Sequence, residues 1–444
     1  MRPSIHRQLP LAPPPIHHEH CREVTQMGAL LDAHPEIETM VEQDLVAEGV
    51  SHNVGRAGMS ADQVLRALVV KQMNQFSYQE LAFYLADSWT YRTFCRFGAF
   101  DETPARSTLQ DNIQRISAQT LERMNQALLR GAEARRIDNG RKVRVDTTPS
   151  RTNVHLPSDS SLLWDATRVL VREMYVAWQR VDFVWSDHSR RAKRRTVAII
   201  SARKVRRHKL YQDLLSVARR TVGYAQDALQ ALIEAGLEKV PCAVKLAHFI
   251  VLAHRVIDQA HRRVINGEKV PPAGKVLSIF EPDTDLLVRG SREPTYGHKL
   301  CLTVGASSLV FDCVIEKGNP MDSTLAVGMI KRFKKAFGVS PRQAVFDGAF
   351  SSNDNLTKIK KCGVTDVVFT KHRGIELSEM ARSSWIFKRL RRFRAGVEGC
   401  ISFLKRCFGL ARCTWRGGRE GFAAFTWSSI FSANLLTLAR HTLT

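Results

Sequence analysis

Near its C-terminal end the chain reads Arg394-Ala-Gly-Val-Glu398-Gly-Cys-Ile-Ser-Phe-Leu-Lys405. Wound as an α-helix at about 100° per residue, Arg394, Glu398 and Lys405 fall within roughly 40° of one another. Val397, Ile401, Leu404 and Phe408 form an apolar stripe beside them. A lone carboxylate is then held rigidly amid arginine and lysine, which suits a metal-binding glutamate working next to a polyanion. Taken alone, the same spacing describes a surface helix with an i,i+4 Arg–Glu pair. Two further carboxylates bear on the choice. Lys142-Val-Arg-Val-Asp146 alternates polar and apolar residues until Thr147-Thr148-Pro149 stops it, so it reads as a strand ending on an aspartate. Gln343-Ala-Val-Phe346 is a short apolar strand with Asp347-Gly348 at its tip. Open α/β sheets place site residues at such tips, although an aspartate there can equally order a turn. Three acids brought together resist ionisation. Two Mg²⁺ ions would offset that repulsion, activate a water or sugar hydroxyl, and stabilise the leaving oxygen of an in-line phosphoryl displacement. Such chemistry belongs to a nuclease or a strand-transfer enzyme.

The elements that must position these acids follow from periodicity. From about Leu30 to Arg136 the pattern is helical. Ser60-Ala-Asp-Gln63, Ser77-Tyr-Gln-Glu80 and Ser107-Thr-Leu-Gln110 each have the spacing of a capping box. Pro104 to Ile116 reads either as the second helix of a DNA-touching helix-turn-helix or as a plain bundle helix. Residues 158–275 form a mostly helical block without strand alternation, and it is the most basic part of the chain. Its clusters include Arg190, Arg191, Arg194, Arg195, Arg206 and Arg207. With little acid between them, a phosphate-tracking surface is favoured over a merely solvated face. Beyond it, Lys299–Val304 and Leu309–Ile315 read as a hairpin, Ser323–Phe337 as a helix and Asp366–Thr370 as another strand. The expected fold class is α/β with a mixed sheet. The expected division is a flexible arm over 1–29, a helical DNA-binding domain over 30–138, a catalytic core over 139–157 and 276–420, the basic helical insert over 158–275, and a terminal helix over 421–444.

Composition narrows the partner. Lys+Arg of 66 against Asp+Glu of 43 gives a net charge of +23 across 444 residues, with a pI near 10.0. Such an excess favours nucleic acid, whose neutralised phosphates release counterions. An anionic membrane is the weaker rival, since the basic residues are dispersed and no lipid-anchor signature is present. Nine cysteines at scattered positions, without a CxxC pair, argue against a disulfide scaffold and for a reducing compartment. The spacing of Cys400, Cys407 and Cys413 fits no zinc site. Residues Met1 to Cys21 are Pro- and His-rich with no apolar signal core, and read as a mobile arm. Gly421 to Ala439 is apolar but interrupted by Ser, Thr and Asn434, and reads as a buried helix rather than a membrane span.

Taken together, several stretches resemble the DDE transposases of bacterial insertion sequences, most nearly the ISNCY-type group. They are Phe76-Ser-Tyr-Gln-Glu-Leu81, Val145-Asp146-Thr147-Thr148, Asp159-Ser-Ser-Leu-Leu-Trp-Asp165, Tyr296-Gly-His-Lys299, Gly318-Asn319 with Asp322, Phe346-Asp347-Gly348, and the Arg394–Glu398–Lys405 helix. The resemblance implies an RNase H-like core, with Asp146, Asp347 and Glu398 as ligands of two divalent ions, Mg²⁺ or substituting Mn²⁺. It also implies that Arg394 and Lys405 match the basic positions of the family's Y-R-E-K signature, Lys405 engaging the DNA end. Arg391 stands where relatives carry Tyr, so any contact made by that Tyr is absent or falls to Phe393. The span from Asp347 to Glu398 is too short for the large β-rich insert of some relatives. The implied partners are double-stranded DNA, as terminal inverted repeats and as target, and a second copy of the chain in the DNA complex. The implied location is the bacterial cytoplasm, at the nucleoid. Two other readings stay open: an RNase H-like nuclease that cuts without joining, and a non-catalytic DNA-binding descendant.

Overall fold

A computed structural model describes residues 17–46, 58–288, 293–371 and 373–443. They fall into two compact units. The first takes in the described residues through Ser150, then Lys299–Glu316, then those from Pro320 onward. The second takes in Arg151–His298 with Lys317–Asn319.

The first unit begins with seven helices: α1 Glu19–Asp32, α2 Pro35–Leu45, α3 Ala61–Asn74, α4 Tyr78–Asp87, α5 Trp89–Phe94, α6 Arg106–Ile113 and α7 Ala118–Ala134. Helix α1 therefore starts inside the stretch expected to be an arm. The His18 side chain accepts from the backbone N–H of His20, and Val24, Met27, Leu30 and Leu31 are buried. Capping boxes form reciprocally at Ser60/Gln63 and Ser77/Glu80. The third expected box does not form. After Pro104 the chain enters α6 with Ala105 at the cap, so Ser107 lies inside the helix whose buried face is Leu109 and Ile113.

Strand β1, Lys142–Arg151, then opens the sheet. Past the helical part of the second unit, the chain continues through β3 Thr295–Val304, which passes from the second unit into the first at Lys299, then β4 Val310–Ile315, a 3₁₀ turn at Asp322–Thr324, α12 Ala326–Phe337, β5 Gln343–Phe346, α13 Asn353–Lys361 and β6 Asp366–Phe369. It closes with α14 Leu377–Met380, α15 Ser384–Arg394, α16 Gly396–Cys407 and α17 Gly418–Leu443. The strands run in the order β3-β1-β5-β6, with β4 on β3. Strand β1 is parallel to β5 from Lys142↔Gln343 to Val145↔Phe346, and β5 is parallel to β6. The β3–β4 hairpin is antiparallel. All residues of β5 and β6 are buried, as parallel strands covered on both faces require.

Helix α17 is long and apolar enough to cross a membrane by length and composition, yet 89% of its apolar window is buried inside the protein. Its Asn434 explains the polar interruption. The amide oxygen accepts from Val310 N–H at 2.9 Å, and its nitrogen donates to the Val310 carbonyl at 2.8 Å and to Asn125 Oδ1 at 2.7 Å. That triangle ties α17, α7 and β4 together in one core.

In the second unit, α8 Asp159–Trp178, α9 Ser189–Ser201, α10 Lys204–Glu234 and α11 Pro241–Ala260 bury a separate cluster. Leu163, Leu170, Leu214, Leu246 and Val256 lie at its centre. A short strand, β2 Asp285–Leu287, pairs antiparallel with Thr295–Gly297.

Candidate functional site

Asp146 does not end its strand. Pairing with β5 stops at Val145↔Phe346 while β1 runs on to Arg151, so the Thr-Thr-Pro that reads as a stop lies within the strand. Past that register the β5 ladder no longer calls for an N–H, and Pro149 is tolerated. Asp347 does follow the last residue of the neighbouring strand β5. Adjacent parallel strands thus deliver two aspartates to one region, and α16 delivers Glu398 in its first turn.

The three acids meet on one guanidinium. Arg394 Nη2 donates to Asp146 Oδ2 at 2.7 Å and lies 3.7 Å from Asp347 Oδ1, while Nη1 donates to Glu398 Oε1. Exposure rises outward: the Arg394 and Asp146 side chains are 12% and 13% exposed, Asp347 43% and Glu398 71%. Two further contacts hold the aspartates still. Asp146 Oδ1 accepts from the Thr147 backbone N–H at 2.8 Å, and Asp347 Oδ1 accepts from Thr370 Oγ1 at 3.0 Å.

Arg394 and Glu398 do not share one uninterrupted helix, as their spacing suggests. Helix α15 ends at Arg394, and α16 starts at Gly396. The break has a cause in β1. Arg144 Nη1 donates to the Phe393 carbonyl at 2.9 Å, taking the acceptor that a continuing helix would use. Its Nη2 donates to Ser308 Oγ at 3.0 Å. A Cβ at position 396 would lie 2.1 Å from Arg144 Nη1, so the close approach needs glycine there. The Phe393 ring is covered by Lys142 Nζ at 4.1 Å and by the Arg144 guanidinium at 4.6 Å, and is thus occupied by cations of its own chain. Burial pulls the Arg144 pKa down and pushes the neighbouring Cys400 thiol up to about 11, the latter partly offset by Arg144. The apolar side of α16 packs as its spacing requires, with Val397, Leu404 and Phe408 buried.

Among the described residues no three His, Cys, Asp or Glu side chains are already drawn around one point as metal ligands. Here the common partner of the acids is the guanidinium. The donor set nevertheless fits a hard divalent cation: three carboxylates, two of them anchored by neutral donors, reach a shared positive charge.

The basic positions divide. Arg391 is exposed and Lys405 half-buried. In the second unit Arg190, Arg194, Arg206 and Arg207 are exposed, whereas Arg191 and Arg195 both donate to Asp213 and are engaged there rather than displayed. Three residues given no role from sequence join the site's surroundings. Thr147 Oγ1 donates to Asp322, and Lys299 pairs with Asp322 at 2.6 Å. Lys299 and Asp322 were visible only as motif positions. Alternation along β1 marks Thr147 as facing away from Asp146.

An α/β sheet that gathers three acids in so basic a chain is the framework of an enzyme acting on nucleic-acid phosphodiesters. Residues 18–115 match the family described as Transposase domain (DUF772), and residues 288–435 match Transposase DDE domain. The chain belongs to the DDE transposases of insertion sequences, enzymes that cleave DNA and transfer strands, and that generally use divalent metal ions. No curated protein and no solved structure matches it. The second match spans Asp347, Arg394, Glu398 and Lys405; Asp146 precedes it.

Proposed function

We propose that this transposase binds the terminal inverted repeats of its element and cuts there with Asp146, Asp347 and Glu398 as the metal-holding triad. Water attacks the phosphorus at the element's end, forming a P–O bond as the bond to the 3′-oxygen breaks, which frees a 3′-hydroxyl. That hydroxyl then attacks a target phosphodiester, forming the new junction and releasing a target 3′-hydroxyl. The observation that carries the reading is the convergence of three acids, from three segments far apart in sequence, on Arg394.

Two Mg²⁺ ions, or Mn²⁺ in their place, would be held by the triad and supply activation of the attacking oxygen and stabilisation of the leaving one. The chain's own part is positional. Thr147 N–H and Thr370 Oγ1 orient the two aspartates. Arg394 and Lys405 hold phosphates at the DNA end, with Arg391 beside them in sequence. Exposed Arg190, Arg194, Arg206 and Arg207 track the backbone electrostatically, and the helices of 30–138 contribute to end recognition. An RNase H-like core is supported by the strand order, with β1 central, the antiparallel β3–β4 hairpin on one side and parallel β5 and β6 on the other. Two copies would pair the element's ends, in the bacterial cytoplasm at the nucleoid.

The test is a cleavage and joining assay on duplex carrying the sequence that flanks the reading frame. Wild type is expected to nick at a repeat end in Mg²⁺ and not in EDTA, and to yield joined products. Asp347→Asn is expected to lose nicking while DNA affinity is kept or slightly raised, because one negative charge leaves the site. Undiminished nicking by that variant overturns the triad, and nicking without joining makes the protein a nuclease.

A further inference from the structure

We infer that Asp322, held by Lys299, is a positioning residue for Asp146 and acts through Thr147; this rests on the reading of Asp146 as a metal ligand. Successive side chains of a strand point to opposite faces, so Asp146 and Thr147 diverge. Asp146 turns toward Arg394, while Thr147 is buried. On that other side Thr147 Oγ1 lies 3.2 Å from each oxygen of Asp322 and donates to them. Asp322 in turn accepts from Lys299 Nζ at 2.6 Å, and Lys299 donates also to the Pro320 carbonyl at 2.5 Å.

Lys299 is 5% exposed. Its partner Asp322 is partly buried, and such a pair gives little net stability, because desolvating the ammonium offsets much of the attraction. What this pair does provide is direction. The carboxylate is clamped by the ammonium, and its clamped oxygens fix the threonine hydroxyl. The fixed threonine aims its backbone N–H at Asp146 Oδ1, 2.8 Å away. One oxygen of Asp146 is thereby held, and Oδ2 is left facing Arg394 and the other acids. Partners of this outer kind orient ligating carboxylates, and losing one typically lowers metal affinity about 10–100-fold.

Thr147→Val is the informative variant, since it keeps the shape and the backbone N–H and removes only the hydroxyl. Asp322→Asn is its companion, but it leaves a buried ammonium without its counter-charge and threatens folding. Mn²⁺ binding to the DNA-free, full-length protein is read by electron paramagnetic resonance, alongside the Mg²⁺ dependence of cleavage. Thr147→Val is expected to weaken Mn²⁺ binding roughly tenfold and to raise the half-saturating Mg²⁺ concentration similarly. The rate at saturating metal should change little, and Thr147→Ser should restore wild-type behaviour. A purely structural role for the hydroxyl would lower the melting temperature and leave both metal readouts unmoved, which overturns the proposal. Asp146→Asn serves as reference. If it loses Mn²⁺ binding while Thr147→Val does not, the positioning role alone falls. If Asp146→Asn binds Mn²⁺ like wild type, the metal-ligand reading falls and this inference with it.

Discussion

Arg394 commits Nη2 to Asp146 and Asp347 and Nη1 to Glu398, while its Nε is buried with no hydrogen-bond partner among the described residues. A guanidinium placed so competes with any divalent cation for the same lone pairs. It also repels that cation: at ~4 Å two unit charges interact by about 4 kcal/mol at an effective dielectric of 20, before screening at the more exposed Glu398. Arg394→Gln is therefore expected to bind Mn²⁺ at least roughly tenfold more tightly without DNA, yet to cleave more slowly for want of a phosphate-holding cation. Calorimetric titration with Mn²⁺ checks the first part, and an unchanged or weaker affinity would refute the competition. That an arginine accompanies the glutamate was legible from their spacing. That it would gather all three acids was not, because the partner carboxylates arrive from β1 and the end of β5.

The joint between α15 and α16 shows where helical periodicity misleads. The stripe of Val397, Ile401, Leu404 and Phe408 continues the pattern of α15 smoothly, so apolar periodicity marks no break, and Gly396 is the only local sign of one. The cause is Arg144, distant in sequence, which takes the Phe393 carbonyl. Gly396 admits that guanidinium, and since Arg144 is pinned by Phe393 and Ser308 it cannot yield freely to a methyl group. Gly396→Ala is expected to destabilise the protein by about 1–3 kcal/mol, read by urea unfolding, and to reduce cleavage more than DNA binding as Arg394 and Glu398 shift. Equal stability and activity would show that Arg144 relocates without consequence. The strand β1 misleads in a related way. Thr147-Thr148-Pro149 has stop-like chemistry, but a proline breaks a ladder only where its N–H is needed. Where local chemistry does decide, at the Ser60 and Ser77 caps, sequence and structure agree.

Across the whole chain, the order of strands and helices and the excess of positive charge were readable, because periodicity and composition are carried by neighbouring residues. Long-range packing was less so. The Pro- and His-rich start gives no hint that Val24 and Met27 bury themselves, nor that Glu23 receives Arg440 of α17 at 2.6 Å. Asn434 looks like a flaw in an apolar helix until Val310 and Asn125 appear beside it. Within the first unit, then, the N-terminal helices, the sheet and α17 share a core, although composition suggests separate pieces. In the second unit, charge density alone could not tell which arginines would be held by Asp213.

Glu398 is the most exposed acid of the three and is held by Arg394 from the first turn of α16. The decisive measurement is single-turnover cleavage of an element-end duplex in Mg²⁺ by Glu398→Gln, which keeps the side chain's size and a hydrogen-bond acceptor for Arg394 but removes its charge. The rate is expected to fall at least ~1,000-fold, about 4 kcal/mol of lost barrier lowering, with DNA affinity and thermal unfolding close to wild type. Cleavage within a few-fold of wild type would contradict the triad and leave Asp146 and Asp347 without their third partner.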